Sequence, residues 1–510
     1  MLLAAAGSLY TDGLSLVLNP LTILLIAAGT LLGIMFGAMP GLTANMGVAL
    51  LVPVTYSMSV TQAIALLIGI YLGALYGGGI PSILMNLPGT PADMMTGIDG
   101  YPMTKRGEGG KALGVSTTSS FLGGIGGALV LAVMAPVIAS VAGSFRSQEY
   151  FAIALLGLTV ISYIAGKSLI KGLASGLLGL FIGTIGIDLV SGYPRFTFGQ
   201  ADLLSGAEFV AVVIGVFGVA ELLEQVGKAR HGKAVIPQKL DRVLPSWSLL
   251  NRLKWVIVRS SVTGVVVGAV PGAGATIAGV VSYGQQTRLS KHPERMGTGE
   301  PEGVAACEAS NNACAGGAMT TMLSLGIPGD SVTAILIGAL TLHGVTAGPL
   351  LFEEDPSLVS AIFLSLVVAN VFLLVFGLAA AKRFAQVVNL PRHILIPVVI
   401  VLAVVGTYAL RATSFNVFMM LAFGVLGLVM VAFRVPKAPL VLGLILGPLM
   451  ETNLRRSLTL NDGDLGATVQ SFASSPLCLA IFAIAVLLLA APALQRATGR
   501  RPAVVYKEEE

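Results

Sequence analysis

The chain has 510 residues, is 55% hydrophobic and only 11% charged, and carries a formal net charge of +5. A soluble protein would carry about 25% charged residues, and Gly13 to Ala92 contains no Asp, Glu, Lys, Arg or His. That run is too long for a single span of about 20 residues, so the chain reads as a helical protein that crosses or re-enters the bilayer several times. No strand-length alternation supports an outer-membrane barrel, and the basic residues cluster in loops, where they report topology rather than nucleic-acid binding.

Residues 1–20 are a short apolar lead ending at Asn19-Pro20, without the basic segment that opens a cleaved signal peptide. Leu21 to Met39 is expected to form a helix stopping at Pro40-Gly41, and Thr43 to Tyr56 a shorter one, together a re-entrant hairpin at about 21–56. Gln62 to Leu87 runs to Pro88-Gly89 and resumes from Pro91 to Gly97, a broken spanning helix at about 62–97. Asp99 to Lys111 reads as a polar loop, followed by spans near 112–143, 149–166, 169–190 and 207–224. The segment 225–256 is the most basic part and is assigned to the cytoplasm by the positive-inside rule. The plan then repeats, with a hairpin at about 257–286 around Pro271-Gly272 and a broken helix at about 304–345 interrupted at Pro328-Gly329. Thr346 to Pro356 holds Glu353, Glu354 and Asp355 without a basic residue and is placed outside. Further spans are expected near 357–381, 393–411, 413–434, 438–451 and 474–494, before a basic cytoplasmic tail at 496–510.

Pro-Gly occurs only at these four places. The two hairpin copies share G-x-x-x-G-A-x-P-G, at Gly33 to Gly41 and Gly264 to Gly272, 231 residues apart; the two broken-helix copies, at 88 and 328, are 240 apart. Proline removes a backbone donor and glycine permits positive φ, so each dipeptide can stop one helix and start another. Counting sides from the basic segments, the first half (1–224) enters from outside and the second (257–495) from the cytoplasm. The expected fold is therefore an all-α polytopic membrane protein of two inverted-topology repeats, each with a re-entrant hairpin and a broken transmembrane helix.

Broken helices persist in hydrocarbon only where protein or water surrounds the break. Each Pro-Gly is followed by a capping-type residue: Thr43, Thr90, Thr276, and Asp330 or Ser331. Helix N-termini offer free N–H donors and about half a positive charge, so several aimed at one point bind a carboxylate without Lys or Arg. The candidate substrate-binding residues are Gly41, Thr43, Asn45, Asn86, Gly89, Thr90, Pro91, Gly272, Gly274, Ala275, Thr276, Gly329, Asp330 and Ser331, with Asn311, Asn312 and Asp330 as candidates for cation coupling. Asp330 is equally readable as a plain N-cap, and Glu308 as a water-facing residue or a site contributor. The Gly-x-x-x-Gly pairs read first as helix packing. The histidines at 231, 292, 343 and 393 are isolated, the three cysteines have no metal spacing, and no cofactor is expected. An enzyme is disfavoured, since no Ser-His pair or Cys/His cluster has workable spacing; an anion channel using the same tips as a filter remains open.

Phe36 to Asn45, Tyr76 to Ala92 (YGGGIPSILMNLPGTPA), Gly268 to Gln285 and Glu308 to Gly338 resemble the large membrane subunit of the tripartite tricarboxylate transporters, the TctA family, and the resemblance runs through GPLMETNLRRSL at 447–458. It implies a secondary active transporter of the bacterial inner membrane that imports di- and tricarboxylates, citrate among them, by symport with Na⁺ or H⁺. It also implies a small TctB-like membrane subunit and a TctC-like periplasmic binding protein as partners. The hairpin-plus-broken-helix plan is similar, by analogy, to that of elevator-like transporters.

Overall fold

The computed structural model describes residues 12–39, 42–87, 89–164, 168–188, 191–228, 242–387 and 392–497. Pro40-Gly41, Pro88, most of the basic middle segment and the tail from 498 lie outside the described residues.

Asn19 accepts the Leu21 N–H, and Pro20 opens α1 (Pro20–Ala38) at the first helical position, where its missing donor costs nothing. Thr43 caps α2 (Ala44–Leu51). A Ser59/Gln62 capping box starts α3 (Val60–Gly77), which passes through Gly78 into α4 (Gly79–Met85). After the first break come α5 (Met94–Lys105), α6 (Gly109–Ala142), α7 (Ser147–Ile164) and α8 (Leu169–Gly183). A two-stranded ribbon, β1 (Gly186–Ile187) against β2 (Pro194–Arg195), leads to α9 (Phe209–Val213), which runs through a π-helical turn (Ile214–Val219) into α10 (Ala220–Lys228). The second half holds α11 (Trp247–Gly268), α12 (Gly274–Leu289), α13 (Pro301–Leu325), α14 (Ser331–Leu342), α15 (Leu351–Glu354), α16 (Pro356–Val387), α17 (Arg392–Ala409), α18 (Ser414–Ala432), α19 (Ala438–Leu460), α20 (Leu465–Ser474) and α21 (Pro476–Ala497).

Among the described residues, five helices are long and apolar enough to cross a membrane: α1, α3–α4 together, α6, α16 and α18. Treating the sharply bent pair α20–α21 as one span makes six. The fold is thus that of an all-α membrane protein. Leu129, Val133, Val137 and Val141 present an exposed apolar stripe on α6, as a lipid-facing helix requires, whereas α3–α4 is buried along its whole length.

The two halves make the same contacts. α1 packs on α3, and α11 on α13. A Cβ at Gly33 would run into the Ile70 carbonyl, and one at Gly37 into that of Ala74. At the positions 231 residues on, Gly264 and Gly268 meet the carbonyls of Ser310 and Cys314, themselves 240 residues on from Ile70 and Ala74. In the reverse direction Gly77 faces Ile34 O and Gly317 faces Val265 O. The offsets of the Pro-Gly motifs therefore recur in the packing. The Gly-x-x-x-Gly pairs seat one helix against the backbone of the next, as small-residue interfaces in membranes do.

Neither spanning helix simply kinks and continues at its break. The chain turns at Asn86 and Gly326, both left-handed (φ 56° and 71°), where the N–H of Leu87 reaches Pro81 O and that of Ile327 reaches Thr321 O. It then folds back along its own helix until Gly89 meets Gly78 and Gly37 O, and Gly329 meets Ala318 and Gly268 O. Gly89 and Gly329 do not have positive φ; they are small because the chain's own backbone fills the space a side chain would need. The expectation that these two glycines let the backbone approach a ligand is corrected accordingly.

Three boundaries also differ from the sequence reading. Asp99 to Lys105 is the end of α5 rather than a loop, because Asp99 is buried and holds the turn before α13. α11 starts at Trp247, inside the segment read as linker, where Ser246 caps it and Arg252 pairs with Glu300 and Glu302. The helix read as 438–451 continues to Leu460 because Glu451 and Arg455 satisfy each other four residues apart. At the end of α5 Arg106 donates to Thr298 O and Gly299 O, so the two loops read as cytoplasmic lie together. There the Lys111 ammonium, bonded to Glu108 at 2.9 Å, holds that carboxyl below its usual range.

If carbonyl-on-glycine contact sets the helix spacing, Gly264→Ala must push α13 away, a strain of about 1–3 kcal/mol. Gly284→Ala, in α12 with nothing within 4 Å of a new Cβ, is expected to stabilise by about 1 kcal/mol. Melting of the two purified variants in detergent separates them: the first falls below the parent and the second does not.

Candidate functional site

Each break ends in a cap built from one carboxylate and one threonine, in swapped order. At the second, Asp330 is the N-cap of α14: its Oδ1 accepts the N–H and hydroxyl of Thr333, each at 2.8 Å. At the first, the Thr90 hydroxyl donates to Asp93 Oδ2 at 2.5 Å, and Pro91–Asp93 forms a short 3-10 turn into α5. Thr90 corresponds to Asp330, and Asp93 to Thr333.

These caps are held from the opposite half. Tyr71, on α3, donates its hydroxyl to Asp330 Oδ2 at 2.5 Å. The corresponding residue of α13 is Asn311, whose amide donates to Asp93 Oδ1 and to Leu75 O, both at 3.2 Å. The hairpins cross over as well. α2 packs on α14, where the Ser331 hydroxyl donates to Asn45 Oδ1 at 2.9 Å, and α12 packs on the Pro91–Asp93 turn. Within the second half, the Gly272 N–H donates to Gly329 O at 2.7 Å.

The sequence candidates distribute as follows. Thr43 accepts the Met46 N–H at 3.3 Å as a cap and donates to Glu221 Oε2 at 3.1 Å. Asn45, Thr90, Asp330, Ser331 and Asn311 join the crossed network just described. Gly272 and Gly274 take positive φ (81° and 63°), which lets α12 start at Gly274. Thr276 therefore lies in the first turn, not at the cap, and Ala275 is buried. Asn86 is exposed as the left-handed terminus of α4, outside the crossed set. Asn312 is buried with neither amide atom hydrogen-bonded, and Glu308 is buried with Oε2 accepting from Ser120 at 2.7 Å. Gly41 lies outside the described residues.

Four participants escaped the sequence reading. Asp93 was legible as the first charge after the uncharged run, three residues beyond Thr90 as Thr333 is beyond Asp330. Tyr71 and Glu221 had no local signal. Asp99 accepts three backbone N–H groups, from Gly297, Gly299 and Glu300, and the Tyr283 hydroxyl. Away from the tips, Asp188, Arg195, Glu451 and Arg455 form a connected ion-pair network lining a cavity of about 560 Å³ at the ribbon end of α8 and α19.

A family model described as the tripartite tricarboxylate transporter TctA family matches residues 23–442, which include both breaks and both hairpins. The chain belongs to the TctA family. It is also 35% identical over 497 residues, 98% of each chain, to an uncharacterised 52.8 kDa protein of Agrobacterium vitis named for its place in the TAR-I ttuC′ 3′ region. A second Agrobacterium vitis protein, uncharacterised and named for the TAR-II ttuC′ 3′ region, is 32% identical over 246 residues, all of its length and 48% of this chain. No solved structure matches. Membership makes this TctA protein a component of a tripartite transporter, a family of transporter subunits rather than enzymes. Among the described residues no group of three His, Cys, Asp or Glu could hold a metal ion.

Tyr71→Phe leaves one buried oxygen of Asp330 without its donor, a loss of about 1.5–3 kcal/mol for a bond to a charged group. The purified variant is expected to melt well below the parent, while Tyr193→Phe, at a residue 75% exposed, does not move the transition. Equal melting of the two variants would contradict the crossed-cap account.

Proposed function

We propose that this chain is the large membrane subunit of a cation-driven importer of di- and tricarboxylates in the bacterial inner membrane. In this reading a TctC-like periplasmic protein delivers the substrate and a small TctB-like subunit completes the complex. Na⁺ or H⁺ supplies the driving force. The halves are inverted repeats, and transport is elevator-like. The reading is supported by family membership and carried by one observation: tips and breaks from opposite halves lodge in one another, joined by Asn45 and Ser331, with no Lys or Arg hydrogen-bonded to them among the described residues.

The helix starts are not equivalent as anion sites. The start of α14 already has its own carboxylate cap in Asp330, and Asp93 stands at the start of α5. α12 starts without a side-chain cap, behind two left-handed glycines. Its 16 residues leave free N–H groups and a positive end at Gly274, Ala275 and Thr276. We place one substrate carboxylate there, with the neutral cap of α2 at Thr43 and Asn45 contributing across the repeat interface. An anion channel remains the alternative; uptake against a substrate gradient, driven by a cation gradient, separates the two.

The test is uptake of labelled citrate by proteoliposomes holding both membrane subunits. Uptake is expected to depend on added binding protein and on the cation gradient. Gly272→Val is expected to abolish it in protein that still folds and inserts. Thr276→Ala is expected to weaken substrate affinity by roughly fivefold to tenfold, one hydrogen bond of about 1 kcal/mol. Full uptake by a well-folded Gly272→Val variant would place the site elsewhere. A scan of other carboxylates with the same binding protein then fixes the substrate class.

A further inference from the structure

The run Tyr76–Pro81 (YGGGIP) forms the junction of α3 and α4, and two buried carboxylates converge on it. A Cβ at Gly78 would collide with the Asp93 carboxylate; one at Gly79 would lie 2.5 Å from Glu308 Oε1 and 3.5 Å from Ser116 Oγ. Asp93 and Glu308 are both fully buried, and no Lys, Arg or His contacts either among the described residues. Two buried charges without a counter-charge are costly.

Four oxygens around this junction have no hydrogen-bond partner: Glu308 Oε1, Ser116 Oγ, Thr96 Oγ1 and Asn311 Oδ1, each on a residue at most 1% exposed. Ser116 and Thr96 face the Glu308 carboxylate, and Asn311 is the residue that holds Asp93. A proton on Glu308 would satisfy only one or two of these atoms. A hard cation accepts oxygen ligands from all of them. A calcium ion would need six to eight ligands, whereas two carboxylates with three neutral oxygens suit a small monovalent ion.

We propose that Na⁺ binds at the α3–α4 junction between Glu308 and Asp93, with oxygens of Ser116, Thr96 and Asn311 completing its shell. The proposal rests on the cation-driven reading above and names the site of the coupling ion. The site is single. In the second half Ala318 and Met319 stand where Gly78 and Gly79 stand in the first, and Ile68 occupies the position equivalent to Glu308. Asp330, by contrast, has both oxygens already hydrogen-bonded by Tyr71 and Thr333. Because Asp93 also stands at the first break, the ion sits against the same turn on which α12 packs.

The test is thermal unfolding of the purified full-length chain in detergent, with NaCl replacing choline chloride at constant ionic strength. The parent is expected to gain stability saturably with Na⁺ and not with K⁺. Glu308→Gln is expected to lose the Na⁺ response, and Gly79→Ala and Ser116→Ala to need at least tenfold more Na⁺ for half the gain. If Glu308→Gln does not fold, the Gly79 and Ser116 variants decide. A parent that does not respond to Na⁺, or variants that respond like the parent, would overturn the site. Cation-driven uptake that survives such a result would leave the import reading standing and move the ion elsewhere.

Discussion

The structure depends on helix backbones lying directly on one another. In a bilayer a polar backbone group that leaves its helix must find a partner inside the protein. Glycines at 33, 37 and 77, and again at 264, 268 and 317, remove the side chains between α1 and α3 and between α11 and α13. That close seating gives each break a wall of carbonyls and small residues to fold against. Without it, the fold-backs at Gly89 and Gly329 would open onto lipid.

On that base the two halves hold each other's weakest points. A broken helix has an exposed start, and here the start at each break is tied by a residue from the other half: Tyr71 to Asp330, Asn311 to Asp93. The swapped Asp/Thr caps show that the two repeats kept the geometry while exchanging the chemistry. The difference has consequences. The half with Asp93 has a second buried carboxylate beside it in Glu308, whereas the half with Asp330 has Tyr71 there and no orphaned oxygen on the cap. A helix start that carries its own carboxylate is a poor anion site, which leaves the uncapped start of α12 as the positive end available to a substrate.

Much of this plan was legible in the sequence because proline and glycine act locally. The four Pro-Gly pairs, their two offsets and the Gly-x-x-x-Gly packing could be read without any tertiary information, and the structure carries the same offsets into its contacts. What was not legible came from long-range pairing. Asp99 looked like loop because its partners, at 297–300, lie some two hundred residues away. Tyr71 sat in an apolar run as one more core residue, and its role depends on Asp330, 259 residues on. The glycines at 89 and 329 were correctly marked as special, but for contact with their own half rather than for a ligand. Asn86, read as an amide donor, turned out to be the left-handed stop that glycine provides at 326.

The claim from which the rest follows is that the two repeats enter the membrane from opposite faces, so that a tip of one meets a break of the other. Single-cysteine labelling of intact cells, with Cys307, Cys314 and Cys478 replaced, tests it most directly at two exposed positions, Lys105→Cys and Glu354→Cys. These follow the first and second broken helices. The account predicts that an impermeant maleimide reaches position 354 from outside and reaches 105 only after the membrane is opened. Labelling of both positions from the same face would contradict it.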